Sequence, residues 1–300
     1  MLRKIWKFSI QLLTVIVTLL ILLNIPTLFI NESGNISFQP SKFIHAIINM
    51  GKQIFSLQSL TIQTPAPTGN LKTVPLFPSV LEPYIYSFTI LFAALFLSIF
   101  VAVSIAYFYF LSSKWIKNMI QRTVSILEAI PDVMIMICIQ MFFVWYFRQT
   151  GELPVHIMTF NENKAYILPI ICLSILPTIQ MFRMMILYIE EERIKPYVEV
   201  AYGKGLSSSY IIRIHLFKNI FIHLFHHSKM IFVFLLSNLF VLECVFHMSG
   251  IIQFLIFTNH FSPSITFIVL IMIVMPFYLS FQICSYFTKR WQTQLNGEII

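Results

Sequence analysis

Apolar residues in this chain fall into long blocks separated by short polar stretches. Six blocks stand out, at 9–30, 84–111, 120–147, 164–188, 228–248 and 264–287. Crossing the hydrocarbon core of a bilayer takes about 20 mostly apolar residues. The pattern therefore predicts an all-α, polytopic membrane protein with six transmembrane helices. The first block follows Arg3, Lys4 and Lys7, as a signal peptide would. Its apolar run is long, however, and no small-x-small cleavage site follows, so it reads as a retained anchor helix. The expected organisation is a terminal segment at 1–8, the first transmembrane helix at 9–30, a polar loop at 31–82, and a core at 83–300 with the other five spans. Inside the polar loop, Phe43, Ile44, Ile47, Ile48, Met50, Ile54 and Phe55 recur at helical spacing. Pro65, Pro67, Gly69, Pro75 and Pro78 then mark a turn-rich stretch.

Composition agrees with the pattern. Of 300 residues, 58% are hydrophobic and 11% charged, and mean hydropathy is +0.81. So few charges cannot coat a water-soluble domain, which excludes an ordinary soluble enzyme, a disordered chain and a secreted disulfide scaffold. The net charge of +8 bears on orientation, because basic residues are retained on the cytoplasmic side. With the N-terminus inside, all Lys and Arg fall in inner segments except Lys42, Lys52, Lys72, Arg148 and Lys164. Both termini and the charged loop 189–227 are thus expected in the cytoplasm, and the loop 31–82 outside. Cys138, Cys172, Cys244 and Cys284 sit inside apolar runs without a CxxC pair and read as packing thiols. With 8 glycines, the helices are expected to pack through Ala, Ser and large apolar side chains. Trp6, Trp115, Trp145 and Trp291 lie near predicted span ends, as an interfacial belt requires.

The loop 189–227 holds the most specific local signal. Pro196 suits a first helical turn, and Glu199 in that turn favours the helix dipole. Gly205 suits the left-handed position after a last turn, with Leu206 as its hydrophobic contact. Ser207, Ser208 or Ser209 can cap a second helix starting near Tyr210. Tyr197, Val198, Ala201 and Tyr202 can form one apolar face on the first helix. A helix this short is not stable alone. It docks either on its own bundle or in a partner's groove.

The same residues carry a family resemblance. Glu199-Val200-Ala201-x-x-x-Gly205 resembles the Glu-Ala-Ala-x-x-x-Gly loop of ABC-importer permeases. Tyr197, Val198, Ala201, Lys204, Gly205, Leu206, Ser207, Arg213, His215 and Asn219 stand in register with the oligopeptide/dipeptide/nickel permease family, B-type branch. Ser125-Ile-Leu-Glu-Ala-Ile-Pro131 and Val241-Leu-Glu243-Cys-Val-Phe246-His-Met-Ser-Gly250 resemble further family stretches. Val200, His223 and Ser249 depart from the family pattern. The resemblance implies a type I ABC-importer permease fold in the plasma membrane and a role in peptide transport, without catalysis by this chain. It implies two cytoplasmic ATPases docking on Tyr197 to Ser207, a second, sister permease chain, and an extracytoplasmic substrate-binding protein. ATP and Mg would sit on the ATPases, since Gly203-Lys204-Gly205 lacks the spacing of a phosphate loop.

Three acids within the apolar blocks are further candidates for a translocation path or subunit contact: Glu128, Asp132 and Glu243. Glu128 and Asp132 are four apart on the third block and either line a path, pair with Arg122 or form a structural pair beside Pro131. Glu243 reads either as a contact in the path or as a helix-bridging carboxyl. His215, His223, His226 and His227 cluster without an acid or thiol nearby, so no metal is expected. An intramembrane enzyme built on Glu128, Asp132 or these histidines, and a non-transporting sensor subunit, are the alternatives. No HExxH or GxSxG array supports the former.

Overall fold

The computed structural model describes residues 2–32, 35–56, 60–65, 71–152, 164–207, 210–211, 217–257 and 262–297. In chain order these form α1 (Leu2–Asn24), a 3-10 turn (Ile25–Leu28), β1 (Phe29–Glu32), β2 (Asn35–Phe38), α2 (Pro40–Phe55), β3 (Thr61–Pro65) and β4 (Leu71–Pro75). There follow α3 (Leu76–Ser79), α4 (Leu81–Leu111), α5 (Lys114–Ala129), α6 (Asp132–Thr150), α7 (Ile167–Arg193) and α8 (Pro196–Gly203). The last three are α9 (Phe217–Val245), α10 (Ile251–Phe257) and α11 (Pro263–Gly297). The chain divides into two compact units, residues 1–83 with 254–300, and residues 84–253.

Among the described residues five stretches are long and apolar enough to cross a membrane: Ser9–Leu28, Leu81–Leu111, Asp132–Thr150, Ile167–Arg193 and Pro263–Gln282. The fifth predicted block appears as a shorter apolar stretch, Met230–Val245, within α9. The architecture is thus the expected helical membrane fold.

The first unit contains the only β structure among the described residues. The helix expected from the 43–55 spacing is α2, with Pro40 in its first turn and Lys52 in its last. The turn-rich stretch after it is flanked by strands that the helical reading of the chain did not anticipate. β3 and β4 pair antiparallel, with Thr61 opposite Pro75 and Ile62 opposite Val74. Their β-branched residues suit a pleated surface, with Ile62 buried and Thr61 exposed. β1 and β2 form a second hairpin, with Phe29 opposite Phe38.

In the second unit the block predicted as one span, 120–147, is two helices. Pro131 lacks an N–H and disfavours helical geometry at the residue before it. Ile130 is accordingly extended, at φ −89° and ψ 128°, so α5 stops and α6 restarts at Asp132. Gly151, at φ 72°, closes α6, its N–H reaching the Phe147 carbonyl at 2.8 Å.

α7 packs along α9, and α6 contacts both. The small-residue expectation is met on α4, where Ala94, Ser98, Ala102 and Ala106 form a buried stripe at four-residue spacing. Phe96, Phe100 and Phe108 project from the exposed side of that helix. Tyr86 ties α4 to the start of α7: its hydroxyl donates to the Ala165 carbonyl at 2.6 Å, and its ring meets Tyr166 edge-on.

Glu243 holds the end of α9 to the start of α10. Its backbone carbonyl accepts the Met248 N–H at 3.1 Å, closing α9 around His247, which has φ 47°. Its side chain, fully buried, accepts the Ile252 and Gln253 N–H groups at 2.9 and 3.0 Å. The Ser87 hydroxyl donates to the same carboxyl at 2.5 Å and accepts the Ile251 N–H at 2.8 Å. The first three N–H groups of α10, which have no partner inside the helix, are met by these two side chains. Gly250 lies so close that a Cβ built on it would overlap the Glu243 carboxyl.

Glu243→Ala leaves two part-buried N–H groups and the buried Ser87 hydroxyl without their acceptor, at about 1–3 kcal/mol for each unsatisfied group. The thermal unfolding midpoint in detergent should fall by several degrees. Gly250→Ala should also lower it, by forcing the carboxyl off its donors, while Glu243→Gln, which keeps one acceptor oxygen, should lower it less. An unchanged midpoint in Glu243→Ala would remove any stabilising role from this cap.

Candidate functional site

The turn at 195–207 forms as its residues dictate. Lys195 is extended, at φ −75° and ψ 144°, and Pro196 opens α8. Glu199 occupies the first turn and is exposed. At the far end Gly205 has φ 76°. The Gly205 N–H reaches the Tyr202 carbonyl at 2.9 Å and the Leu206 N–H reaches the Ala201 carbonyl at 3.3 Å. This pair of bonds is the Schellman closure, which satisfies carbonyls the helix leaves free. Ser207 then starts the next segment: its Oγ accepts the Tyr210 N–H at 3.4 Å and its carbonyl the Ile211 N–H at 3.0 Å. Ser208, Ser209, Arg213 and His215 lie outside the described residues, as do the side chains of Asn219, His223, His226 and His227.

The structure divides the apolar residues of α8 between two faces. Val198 and Ala201 are buried within the chain, at 1% and 7% exposure. Tyr202 is not part of that face: it is exposed, as are Ile194 at 80% and Val200 at 56%. The single apolar face expected for Tyr197, Val198, Ala201 and Tyr202 is thus corrected. Residues 198 and 201 are three apart and share the side turned to the chain; 202, four from 198, stands at the edge of that side, and its large ring reaches outward.

The fixing residue is Glu192, which the sequence reading did not single out. It ends α7, is buried, and accepts a hydrogen bond from the Tyr197 hydroxyl at 2.6 Å. It also pairs with the Lys195 ammonium. The one sequence signal for it is the i,i+3 spacing of Glu192 and Lys195, which is common on any helix end. Tyr197 and Lys195 therefore tie α8 to α7, leaving Glu199, Val200, Tyr202 and Lys204 facing outward.

A polar cleft lies along the same half of α7. Gln121, Val124 and Ser125 of α5, with Phe182, Arg183, Ile186, Leu187 and Glu190 of α7, line a cavity of about 280 Å³. Glu128 pairs here with Arg183 at 2.7 Å, not with Arg122. Arg183 also donates to the Ser125 Oγ at 3.2 Å, and Gln121 donates to the Tyr109 hydroxyl at 2.8 Å. Asp132 stands on a different helix from Glu128, in the first turn of α6, where a negative charge is favoured. The two carboxylates therefore form no dyad on one helix. Glu243 is spent on the α10 cap described above. Among the described residues no three His, Cys, Asp or Glu side chains gather to hold a metal.

Gly205→Ala places a side chain at a left-handed position where a Cβ meets no neighbour within 4 Å. The penalty is then the backbone term alone, roughly 1–2 kcal/mol. Amide exchange at Gly205 and Leu206 should accelerate in Gly205→Ala, and Gly205→Asn should restore part of the protection, because Asn tolerates this geometry.

Residues 94–292 match the family described as "Binding-protein-dependent transport system inner membrane component". None of the curated protein sequences matches the chain. Among solved structures the chain is similar to a crystal structure of an amino acid ABC transporter with histidines, at 17% identity and a TM-score of 0.52, covering 71% of this chain and 94% of the other. At that identity the likeness shows the fold alone. The matched region takes in α5 to α10, including the closed turn after α8 and the Glu243 cap. On that match the chain belongs to the inner membrane components of binding-protein-dependent transport systems, the non-enzymatic permease subunits of ABC importers.

Proposed function

We propose that this permease carries peptides and that α8 is the element through which partner ATPases drive it. The observation behind the second point is the two-faced character of α8. One face is held to the chain by Val198, Ala201 and the Tyr197–Glu192 hydrogen bond. The other presents Val200 and Tyr202 around Glu199, with exposed Ile194 just ahead of the helix. A short helix clamped to a long one transmits a push on its outer face to α7 as a rigid element. The exposed apolar groups are the part a groove in a cytoplasmic ATPase would cover. ATP and Mg belong to those ATPases. A sister permease chain and an extracytoplasmic binding protein complete the assembly, with both termini and the 189–227 loop on the cytoplasmic side.

The peptide assignment rests on the register of Tyr197, Val198, Ala201, Lys204, Gly205, Leu206 and Ser207 with the oligopeptide/dipeptide/nickel branch. The structural neighbour is named for amino acid transport, so amino acids are the comparison substrate. Uptake of labelled di- and oligopeptides against single amino acids, in vesicles holding the whole assembly, separates the two. Accumulation of amino acids alone would sink the peptide assignment.

Docking is tested on the outer face, because Ala201 is buried and a charge there would disrupt the chain itself. Burying one large aliphatic side chain is worth about 1.5–3 kcal/mol. Val200→Arg should therefore weaken ATPase retention roughly 10- to 100-fold, at 1.4 kcal/mol for each tenfold. Tyr202→Asp should act likewise, and the unfolding midpoint of the chain should not change in either. Normal ATPase copurification and transport in both variants would show that this face docks nothing.

A further inference from the structure

We infer that α2 is an interfacial helix that lies on the lipid surface where α1 leaves the membrane. Two contacts set its level, both within the first unit. The Asn24 amide, at the end of α1, donates to the Met50 Sδ at 3.0 Å, and both residues are buried. Ser264, in the first turn of α11, donates to the Gln53 Oε1. The helix packs against α1 and α11 at these points. Ser9–Leu28 and Pro263–Gln282 are both long and apolar enough to span. α2 is therefore pinned to one end of each of two spans, at the depth where hydrocarbon gives way to headgroups.

The surface of α2 divides into three stripes. Phe43, Ala46, Ile47, Met50 and Ile54 are buried or half-buried against the unit. Lys42, His45, Asn49 and Lys52 are exposed on the opposite side. Between the two runs an exposed apolar stripe: Ile44 at 56% exposure, Ile48 at 49% and Phe55 at 94%. A helix at the boundary needs such an arrangement, with one side on protein, one in water and one in the acyl layer. Two further features select lipid as the occupant. The lysines flank the apolar stripe, which suits anionic headgroups. The β1–β2 hairpin that joins α1 to α2 adds two exposed rings, Phe29 and Phe38, which lie 5.9 Å apart and are 55% and 64% exposed. Aromatic rings concentrate at this depth.

The test places single cysteines at Ile44, Ile48, Phe55 and Asn49 in the full chain. Each is labelled with an environment-sensitive fluorophore, and the chain is reconstituted in phosphatidylethanolamine/phosphatidylglycerol vesicles. The signal from the native cysteines is subtracted using the unsubstituted chain. Lipids brominated near the headgroup end of the acyl chain should quench labels at 44, 48 and 55 at least twofold more than the label at 49. Equal quenching at all four positions would overturn the proposal. Blue-shifted emission at 44 and 48 without quenching would also overturn it, and would assign the stripe to a second protein. The four positions are exposed, and Phe55 lies two turns beyond Ile48, so a local disturbance at one label leaves the others readable.

Discussion

Backbone amides and carbonyls released where a helix stops must find partners, and inside an apolar bundle no water supplies them. Several of the breaks here are met from within. After α6 the carbonyl of Phe147 is taken by Gly151, in a left-handed conformation that glycine adopts without strain. After α8 the same device uses Gly205, with two bonds closing the turn. After α9 the left-handed residue is His247, and the helix end is held by Glu243, which serves its own helix through its carbonyl and the next through its carboxyl. The strain of a non-glycine residue at that position is offset by three hydrogen bonds to one buried carboxyl and the close approach that Gly250 permits. Proline makes a further break, at Ile130 and Pro131, and Asp132 follows it in the first turn of α6.

These closures determine what α8 can do. A helix of eight residues contributes too little on its own to hold its shape. Its position comes from the Schellman turn at one end and from Glu192 at the other, with Val198 and Ala201 seated between them. Because α7 supplies Glu192 and also Arg183, one long helix carries both the link to α8 and the charged pair with α5. A displacement of α8 would reach the polar cleft through α7 without a flexible joint between them.

Much of this was legible along the chain. The apolar blocks, the helical pattern at 43–55, the positions of Pro196 and Gly205, a serine cap among 207–209 and packing through Ala and Ser are local features, each set by residue type and spacing within a few turns. The block at 120–147 reads as one span because its apolar residues run on, whereas the break depends on a single proline. The strands at 61–75 were hidden because prolines at their ends suggested turns more loudly than the alternating β-branched residues between them suggested a hairpin.

By itself the sequence determined the helical membrane fold class, most of the apolar spans and the closed turn after α8, since those follow from hydrophobic period and from the backbone preferences of glycine and proline. Tertiary structure alone decided the side-chain assignments. Glu128 meets Arg183, 55 positions away, in place of nearby Arg122; Glu243 caps α10; and Tyr202 turns outward while Val198 turns in. Each depends on which helices lie side by side, and a carboxyl in an apolar block has the same local signature whether it faces a path, a partner or the end of a neighbouring helix.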